Sequence, residues 1–397
     1  MKFTVKTNTQ SARKYVVDDM LLTKVLPTTA GSKMLDGYTS LFEAEVITRL
    51  QNAGYDLVGK ADVGEFGFDL LGETSYNGAN YEDNKLINAT ASIIANDEAE
   101  AGITLDVNGT TRRAAAQSGL VSVKPTYGTV SRYGTIPVAC SGDTVSVSAK
   151  TADKCREVLS VILGHDDKDG TSLPQSKIDT ILANKNEVKK VALLTSMLKG
   201  IDSEVQAKLD NVCEILGQNG VEVVKIDDSI IEKSSIAWNH LMCAELCNNV
   251  SRYDGVKYGY RAQNFSGIDE LYTNSRTEAF GFTLKSAILF GSEALSTANY
   301  MKVYDKSLRT RRVIVEEFAK LFSSFDAVLM PACSTLAYTK ETVESDLYKP
   351  FTENFYTAPA SITGLPAVVV SGVQFVGKAF SEGVMLDLAK KIEKEGK

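Results

Sequence analysis

The chain has 397 residues, of which 44% are hydrophobic, so it can bury a large core, and composition alone leaves one large domain and two smaller domains open. The 43 Lys and Arg residues and the 50 Asp and Glu residues give a net charge of −7. The largest basic cluster is residues 309–312, so a dominant nucleic-acid-binding surface is not expected. No window approaches about 18 apolar residues and the chain opens without an apolar segment, so neither a membrane span nor a secretion signal is predicted.

Apolar periodicity predicts alternating strands and helices in the first part of the chain. The predicted strands are residues 2–7, 56–60, 102–107 and 119–123, and the predicted helices are residues 40–53 and 89–101. A second apolar run, residues 15–22, is interrupted by Asp18 and Asp19, and the glycine-rich residues 64–78 are predicted to form a loop.

The segment 110–148 has the most unusual local sequence of the chain. A run rich in Ala and hydroxyl residues leads into the strand 119–123, which Pro125 should end because proline cannot donate to a sheet ladder. Gly128 and Gly134 then supply turns before a return strand. This pattern predicts a loop held over a sheet edge, where functional sites are commonly built.

The second part of the chain continues the alternation. Strand 189–196, helix 203–217 with a Ser203/Gln206 capping box, and strand 221–226 predict a parallel βαβ unit. The remaining predicted helices are residues 151–163 (capped by Thr151 and ended by Gly164), 230–253, 299–322 and 381–395, and the remaining strands are 327–331 and 367–377. The fold class is therefore α/β, with a mixed sheet covered by helices on both faces.

Neither cysteine nor histidine forms a strong metal pattern. The six cysteines are scattered and indicate reduced thiols in a cytoplasmic protein. Cys243 and Cys247 lie four residues apart, which suits half of a metal site or, as we favour, two thiols of a helical core face. Asp18 and Asp19 have no third ligand at metal spacing, and His165 lies in a predicted helix stop, so no metal and no cofactor are predicted.

Several strings resemble one family. KPTYGTVSRYG (residues 124–134), GHDDKDGTS (164–172), SRYDGVKYGY (251–260) and GLPAVVV (364–370) are similar, in order, to the amidase signature family, in the form of the A subunits of glutamyl-tRNA(Gln)/aspartyl-tRNA(Asn) amidotransferases. The resemblance implies the amidase signature fold in a single domain over residues 1–397, without the N-terminal helical stretch that members usually carry. It also implies partners that resemble the other amidotransferase subunits.

Active members of the family resemble one another in a triad. A buried lysine takes a proton through a bridging serine in a GGSSGGS loop, a serine in a D-T-G-G-S-x-R turn attacks the amide, and backbone N–H groups hold the oxyanion. Ungapped alignment with these strings puts Asp18 at the position of the family lysine, Ile87 at that of the bridging serine and Thr111 at that of the nucleophilic serine. Thr110 replaces one of the glycines of the turn. The resemblance therefore predicts that the triad is absent.

The positions that hold the substrate in the family also differ. In the family an arginine pairs with the glutamine carboxylate and an aspartate partners that arginine; Ala287 and Asn354 replace these two residues here. Trp238 replaces one tyrosine of a pair near the substrate, whereas the family aspartate is retained as Asp143. We expect a vestigial pocket formed by Thr110, Thr111, Asp143, Trp238, Ala287 and Asn354.

Three hypotheses follow from this pattern. The one we favour is a catalytically degenerate homologue of these amidotransferase subunits that acts as a scaffold or regulatory partner, in a protein complex or as a homodimer, without direct contact to nucleic acid or membrane. The second is a working amidotransferase subunit or amidase with a non-standard site, although Asp18 would be a poor base for Thr111 at an ordinary carboxyl pKa of about 3.9. The third is a small-molecule binding module that uses the old pocket, lined by Ile87, Thr111 and Ala287.

Overall fold

The computed structural model describes residues 2–7, 9, 11–184 and 186–395. The strands are β1 (Phe3–Lys6), β2 (Lys14–Asp18), β3 (Asp56–Ala61), β4 (Tyr81–Glu82), β5 (Lys85–Leu86), β6 (Ala101–Asp106), β7 (Val121–Lys124), β8 (Thr144–Ala149), β9 (Lys190–Leu194), β10 (Glu222–Ile226), β11 (Ala327–Pro331), β12 (Ala367–Val370) and β13 (Val373–Gly377).

Helices connect these strands. They are α1 (Glu45–Asn52), α2 (Ala89–Ala95), α3 (Thr110–Ser118), α4 (Ala152–Ile162), α5 (Gln175–Ile178), α6 (Ser203–Gln218), α7 (Ser234–Val250), α8 (Ile268–Ala279), α9 (Phe282–Leu295), α10 (Asp305–Ser324), α11 (Lys340–Ser345), α12 (Lys349–Glu353), α13 (Ala358–Thr363) and α14 (Glu382–Glu395). Short 3-10 turns occur at Lys33–Leu35, Glu65–Gly67, Thr195–Leu198, Ile231–Lys233 and Asn354–Tyr356, and a π-helical turn, Tyr300–Tyr304, precedes α10. No helix among the residues described is long and apolar enough to cross a membrane.

One mixed sheet organises the molecule. Its 11 strands run in the order β1-β3-β2-β6-β8-β7-β12-β13-β11-β9-β10, and β4 pairs with β5 apart from it. Parallel pairs join β2 to β3 and β6, and join β9 to β10 and β11, whereas the centre is antiparallel from β6 to β11. The predicted mixed α/β class and the predicted parallel unit around α6 are confirmed.

Alternating side chains of the central strands enter different hydrophobic clusters. Tyr15 and Val17 of β2 belong to the largest cluster, whereas Val16 between them packs with Ala89 and Ile93 of α2. Because successive strand residues point to opposite faces, α2 covers the face opposite to the largest cluster. Likewise Val368 and Val370 join the largest cluster, and Val369 joins the one that contains the alanines of α3. The sheet is therefore covered on both faces.

Local signals fixed several boundaries. Strand β7 ends at Lys124 directly before Pro125, and the Thr151 side chain caps α4 by accepting from the Lys154 N–H, as predicted. The predicted capping box of α6 is wrong, because Asp202 is the N-cap and its carboxylate accepts from the Val205 N–H at 2.8 Å. The Ala- and hydroxyl-rich run before β7 forms α3, and the predicted helix 40–53 begins only at Glu45.

The prediction of one strand over residues 367–377 is also wrong. This stretch is a hairpin of β12 and β13, joined at Ser371 and Gly372 with φ of 50° and 85°. Two positive φ values match the type I′ turn that suits a tight hairpin. The sequence pattern does not indicate this turn, because both strands are buried on both faces and their side chains are apolar with little alternation.

Replacing Gly372 by Ala should destabilise the protein by about 1–2 kcal/mol, because a left-handed residue with a side chain carries that cost. The added Cβ itself would meet only flexible carbons of Lys208 at 3.3 to 3.6 Å. Gly170→Ala is the matched control, since its Cβ would have no heavy atom within 4 Å and its φ lies outside the left-handed range. Urea unfolding measures both variants, and equal midpoints would contradict the turn assignment.

Candidate functional site

The candidate site lies where β6 passes into α3. Strand β6 ends at Asp106, and Gly109 takes the left-handed conformation, with φ of 90°, directly before Thr110 begins the helix. A Cβ on Gly109 would lie 2.3 Å from the Thr357 Cβ, so both conformation and space require glycine here. This strand, turn and helix bring Thr110 to the C-terminal edge of two neighbouring parallel strands, β2 and β6.

A buried ion pair holds this turn. Asp106 and Arg112 are both 0% exposed, and the Arg112 Nε lies 2.9 Å from the Asp106 carboxylate. The guanidinium makes five hydrogen bonds, two to Asp106 and the others to the Thr357 carbonyl, the Ser361 hydroxyl and the Gln374 side chain. Burial alone would raise the pKa of Asp106, but Arg112 lowers it to below its ordinary value. The Gly109 N–H also donates to Asp106, at 3.0 Å.

The ion pair between Asp106 and Arg112 helps to decide which threonine occupies the position of the family nucleophile. In the D-T-G-G-S-x-R pattern the serine lies four residues after the aspartate and two before the arginine. Asp106, Gly109 and Arg112 have that spacing here, with the aspartate and arginine in contact. The structure therefore favours Thr110 at the serine position, one residue before the Thr111 that ungapped counting gave.

A very small cavity borders both threonines. Its volume is about 20 Å³, and its walls include Asp18, Asn88, Thr104, Thr110 and Thr111. That volume is sufficient for about one water molecule. The structure thus brings Asp18, Thr110 and Thr111 together around a space that is too small for an amino acid amide.

The two threonine hydroxyls already have hydrogen-bond partners. The Thr110 hydroxyl donates to the Asp69 carbonyl at 2.8 Å, and the same carbonyl accepts from buried Arg113 at 2.8 Å. The Thr111 and Thr104 hydroxyls lie 2.7 Å apart. Attack by either threonine would require that its hydroxyl first leave these bonds.

Asp18 is 4% exposed at the end of β2, and its carboxylate accepts from the Leu105 N–H at 2.8 Å and the Met20 N–H at 3.2 Å. Burial raises the pKa of Asp18 to about 7, although these two N–H groups act in the opposite direction. The expectation of an ordinary carboxyl pKa at this position is therefore wrong, because the sequence does not reveal how completely the carboxyl is buried.

A buried lysine of the strand next to β2 does not reach the cavity. Lys60 of β3 is 0% exposed, pairs with Asp19 at 3.1 Å, and donates to the Pro27 carbonyl at 3.0 Å and to the Thr28 hydroxyl. Burial lowers the pKa of Lys60, and Asp19 opposes this change. Lys60 and Thr28 do not line the cavity beside Thr110, so this contact is not a relay to it.

A chain of amides fills the space behind the turn. The Asn354 side chain donates to Asn108 at 3.1 Å and to Asn239 at 2.8 Å, and it accepts from the Ser235 hydroxyl at 2.7 Å. Asn108 directly precedes Gly109 and donates in turn to the Phe68 and Pro350 carbonyls. Asn354 is thus hydrogen-bonded to the residue that precedes Gly109. No local signal in the sequence indicates the contacts among Asn108, Asn239 and Asn354, because these amides are more than 100 residues apart.

The other predicted pocket residues are separate from the cavity. Trp238 is fully buried against Gly142, where a Cβ would lie 2.1 Å from the Trp238 Cη2. Asp143 accepts from the Val138 and Ala139 N–H groups, and burial raises its pKa to about 6. Ala287 is buried in α9, and Ile87 follows β5, and neither lines the cavity. Among the residues described, no cluster of three or more His, Cys, Asp or Glu side chains could hold a metal ion.

Comparison with known proteins agrees with this architecture. The family described as Amidase matches residues 15–386. The A subunit of the glutamyl-tRNA(Gln) amidotransferase of Acinetobacter baumannii (strain AYE) is 34% identical over 93% of this chain and 80% of its own, and its counterpart in Maridesulfovibrio salexigens is 33% identical over 96% and 82%. The crystal structure of the corresponding Thermotoga maritima protein superposes with a TM-score of 0.81 at 24% identity, covering 99% of this chain and 87% of the other.

Replacing Arg112 by Met should destabilise the protein by about 3–5 kcal/mol, because Asp106 would remain buried without its partner. Arg309→Met is the control, since the Arg309 side chain is 68% exposed and its pair with Asp305 lies on the surface. We expect the control to change the free energy of unfolding by less than about 1 kcal/mol in urea titrations. Equal losses for the two variants would contradict the role given to the buried pair.

The Asp18→Asn variant should gain stability relative to the parent chain as pH rises. A raised pKa means that the stability contributed by the neutral carboxyl is fully present below about pH 4 and is lost as pH rises through about 7. Between about pH 5 and pH 9 the difference in free energy of unfolding should therefore move by about 3 kcal/mol in favour of the variant. Urea titrations at both pH values measure this, with exposed Asp227→Asn as control, and a constant difference would refute it.

Proposed function

The chain belongs to the amidase family, and from that membership we propose that it is a member without hydrolytic activity on glutamine, which serves as a scaffold or regulatory partner for other proteins. The observation that carries the proposal is the cavity of about 20 Å³ beside Thr110 and Thr111. A family nucleophile needs room for an amide, a base and free N–H donors for the oxyanion.

The surroundings of the cavity support the same proposal. Asp18 occupies the edge where the family pattern places a lysine, and the Gly109 N–H is bonded to Asp106. Asn354 and Asn108 bond to each other, so the amide that stands at the substrate-binding aspartate is engaged inside the protein. Each group that would have to face a substrate instead has a partner within the chain.

The scaffold role rests on the relatives. The two relatives described above are named as the A subunit of a glutamyl-tRNA(Gln) amidotransferase, and such a subunit has partner proteins. We extend this to the present chain and propose that it binds proteins resembling the other subunits, or a second copy of itself. A cytoplasmic setting belongs to the proposal, since the six cysteines are all free thiols.

A second candidate function has one specific observation in its favour. Asp18, with a pKa raised by burial to about 7, shares the water-sized cavity with Thr110 and Thr111. A carboxyl with that pKa is a better-matched proton acceptor near neutral pH than an ordinary aspartate. An amidase with a rebuilt threonine site is therefore the alternative that the experiment must separate. The third hypothesis, a binding module in the old pocket, has no support from a cavity of this size.

Ammonia release from glutamine and asparagine tests the proposal. We expect no release above the blank from the chain alone or together with proteins captured from its native lysate. A rate that vanishes in Thr110→Ala or Thr111→Ala, and that follows a group with a pKa near 7, would overturn the proposal and establish the second candidate. Ser160→Ala, an exposed hydroxyl far along the chain, is the control variant.

The same tagged chain tests the scaffold role. We expect capture from the native lysate to yield a partner in stoichiometric amount, or light scattering of the purified protein to show a dimer. A protein that stays monomeric and without a stoichiometric partner would refute the scaffold role, whatever the result of the ammonia assay.

A further inference from the structure

A second and much larger cavity lies between α7 and α9. Its volume is about 350 Å³, and its walls include Asn239, His240, Cys243, Phe290, Val303 and Phe351. It shares no lining residue with the cavity beside Thr110, although its Asn239 also belongs to the amide chain behind the Gly109 turn. Binding at this cavity goes beyond the proposed function. A volume of this size is within the range of small-molecule pockets.

His240 lines this cavity together with two other polar residues, Asn239 and Glu293, and it has a defined hydrogen-bonding role. The Ser307 hydroxyl donates to the Val303 carbonyl at 2.8 Å, so its oxygen can only accept from the His240 Nδ1, which lies 3.0 Å away. Burial lowers the pKa of half-buried His240 and favours the neutral ring. A neutral ring with hydrogen on Nδ1 leaves Nε2 as an acceptor. Nε2 has no hydrogen-bond partner among the residues described.

The walls favour a flat apolar molecule. The Phe290 and Phe351 rings meet edge to face, with centroids 5.6 Å apart and planes at 82°. Phe290 is 49% exposed, although it lies beside the cavity, so its ring offers an uncovered face. Burial raises the pKa of the Cys243 thiol to about 12, which keeps it uncharged and apolar in character. Aromatic rings favour edge-to-face or offset contacts with a further ring.

A π-helical turn supplies one wall residue of the cavity. Val303 lies inside the turn Tyr300–Tyr304, and its carbonyl is the acceptor of the Ser307 hydroxyl that fixes the His240 ring. Isolated π turns within helices occur frequently at functional sites. The irregular turn thus both contributes Val303 to the cavity wall and sets the hydrogen position on the His240 imidazole.

We propose that this cavity binds a small, neutral aromatic molecule that carries an N–H or O–H donor, with the ring packed against Phe290 and Phe351 and the donor bonded to His240 Nε2. The donor distinguishes this ligand class from plain hydrocarbons. Anions are disfavoured because the lining includes the Glu293 carboxylate and no lysine or arginine.

Calorimetric titration of the whole chain with indole and benzofuran tests the proposal. The two probes have the same shape, but only indole carries an N–H donor. We expect indole to bind one to one and benzofuran to bind about five-fold more weakly, because the missing hydrogen bond is worth about 1 kcal/mol. Absence of indole binding up to about 5 mM, or equal affinity for the two probes, would overturn the proposal.

Variants locate the bound probe. His240→Leu should bind the two probes equally, whereas His165→Leu, which alters the other histidine of the chain, should keep the five-fold preference. Ala294→Phe, which fills the cavity from α9, should abolish binding of both probes. A preference for indole that survives His240→Leu, or binding that survives Ala294→Phe, would place the probe elsewhere and refute the site. If His240→Leu fails to fold, the comparison of probes on the parent chain and on Ala294→Phe still decides.

Discussion

The ion pair between Asp106 and Arg112 is the constraint on which the centre of the molecule depends. Two opposite charges without exposure to solvent are tolerable only if each finds its partner and the remaining donors are satisfied. Here the donors of Arg112 reach the end of β6, the start of α13 and the middle of β13. One side chain therefore ties the Gly109 turn to elements more than 240 residues later in the chain.

This arrangement explains how the Gly109 turn can keep its backbone conformation whatever side chains line the neighbouring cavity. Gly109 is fixed by the nearby Thr357 side chain and Asp106 by Arg112, and none of these interactions involves the cavity. The groups that face the cavity are under a different requirement, since each buried hydroxyl or amide must be hydrogen-bonded. Thr110 and Thr111 meet it with partners inside the protein, and the result is a packed centre with space for little more than a water molecule.

Much of the fold could be predicted from local sequence, and the failures have physical causes. Strand β11 was predicted to the residue because its short apolar run begins after Asp326 and ends at a proline. The hairpin at Ser371 was read as one strand because both of its strands are buried on both faces and show no alternation. Helix α3 was overlooked because its alanines and threonines give no clear period. The placement of Thr110 needed the contact between Asp106 and Arg112, and the chain of Asn108, Asn239 and Asn354 needed the tertiary fold, since these amides are more than 100 residues apart.

The buried carboxyls have a consequence for the energetics of folding itself. Burial raises the pKa of Asp18 and Glu65 to about 7 and that of Glu73 to about 8, so near neutral pH the native chain holds protons that the extended chain releases. These three carboxyls therefore take up protons when the chain refolds, whereas Lys124, whose pKa burial lowers to about 7, releases part of its own. The heat measured on unfolding then contains the ionisation enthalpy of whichever buffer exchanges those protons, and differs between phosphate and Tris at the same pH and temperature.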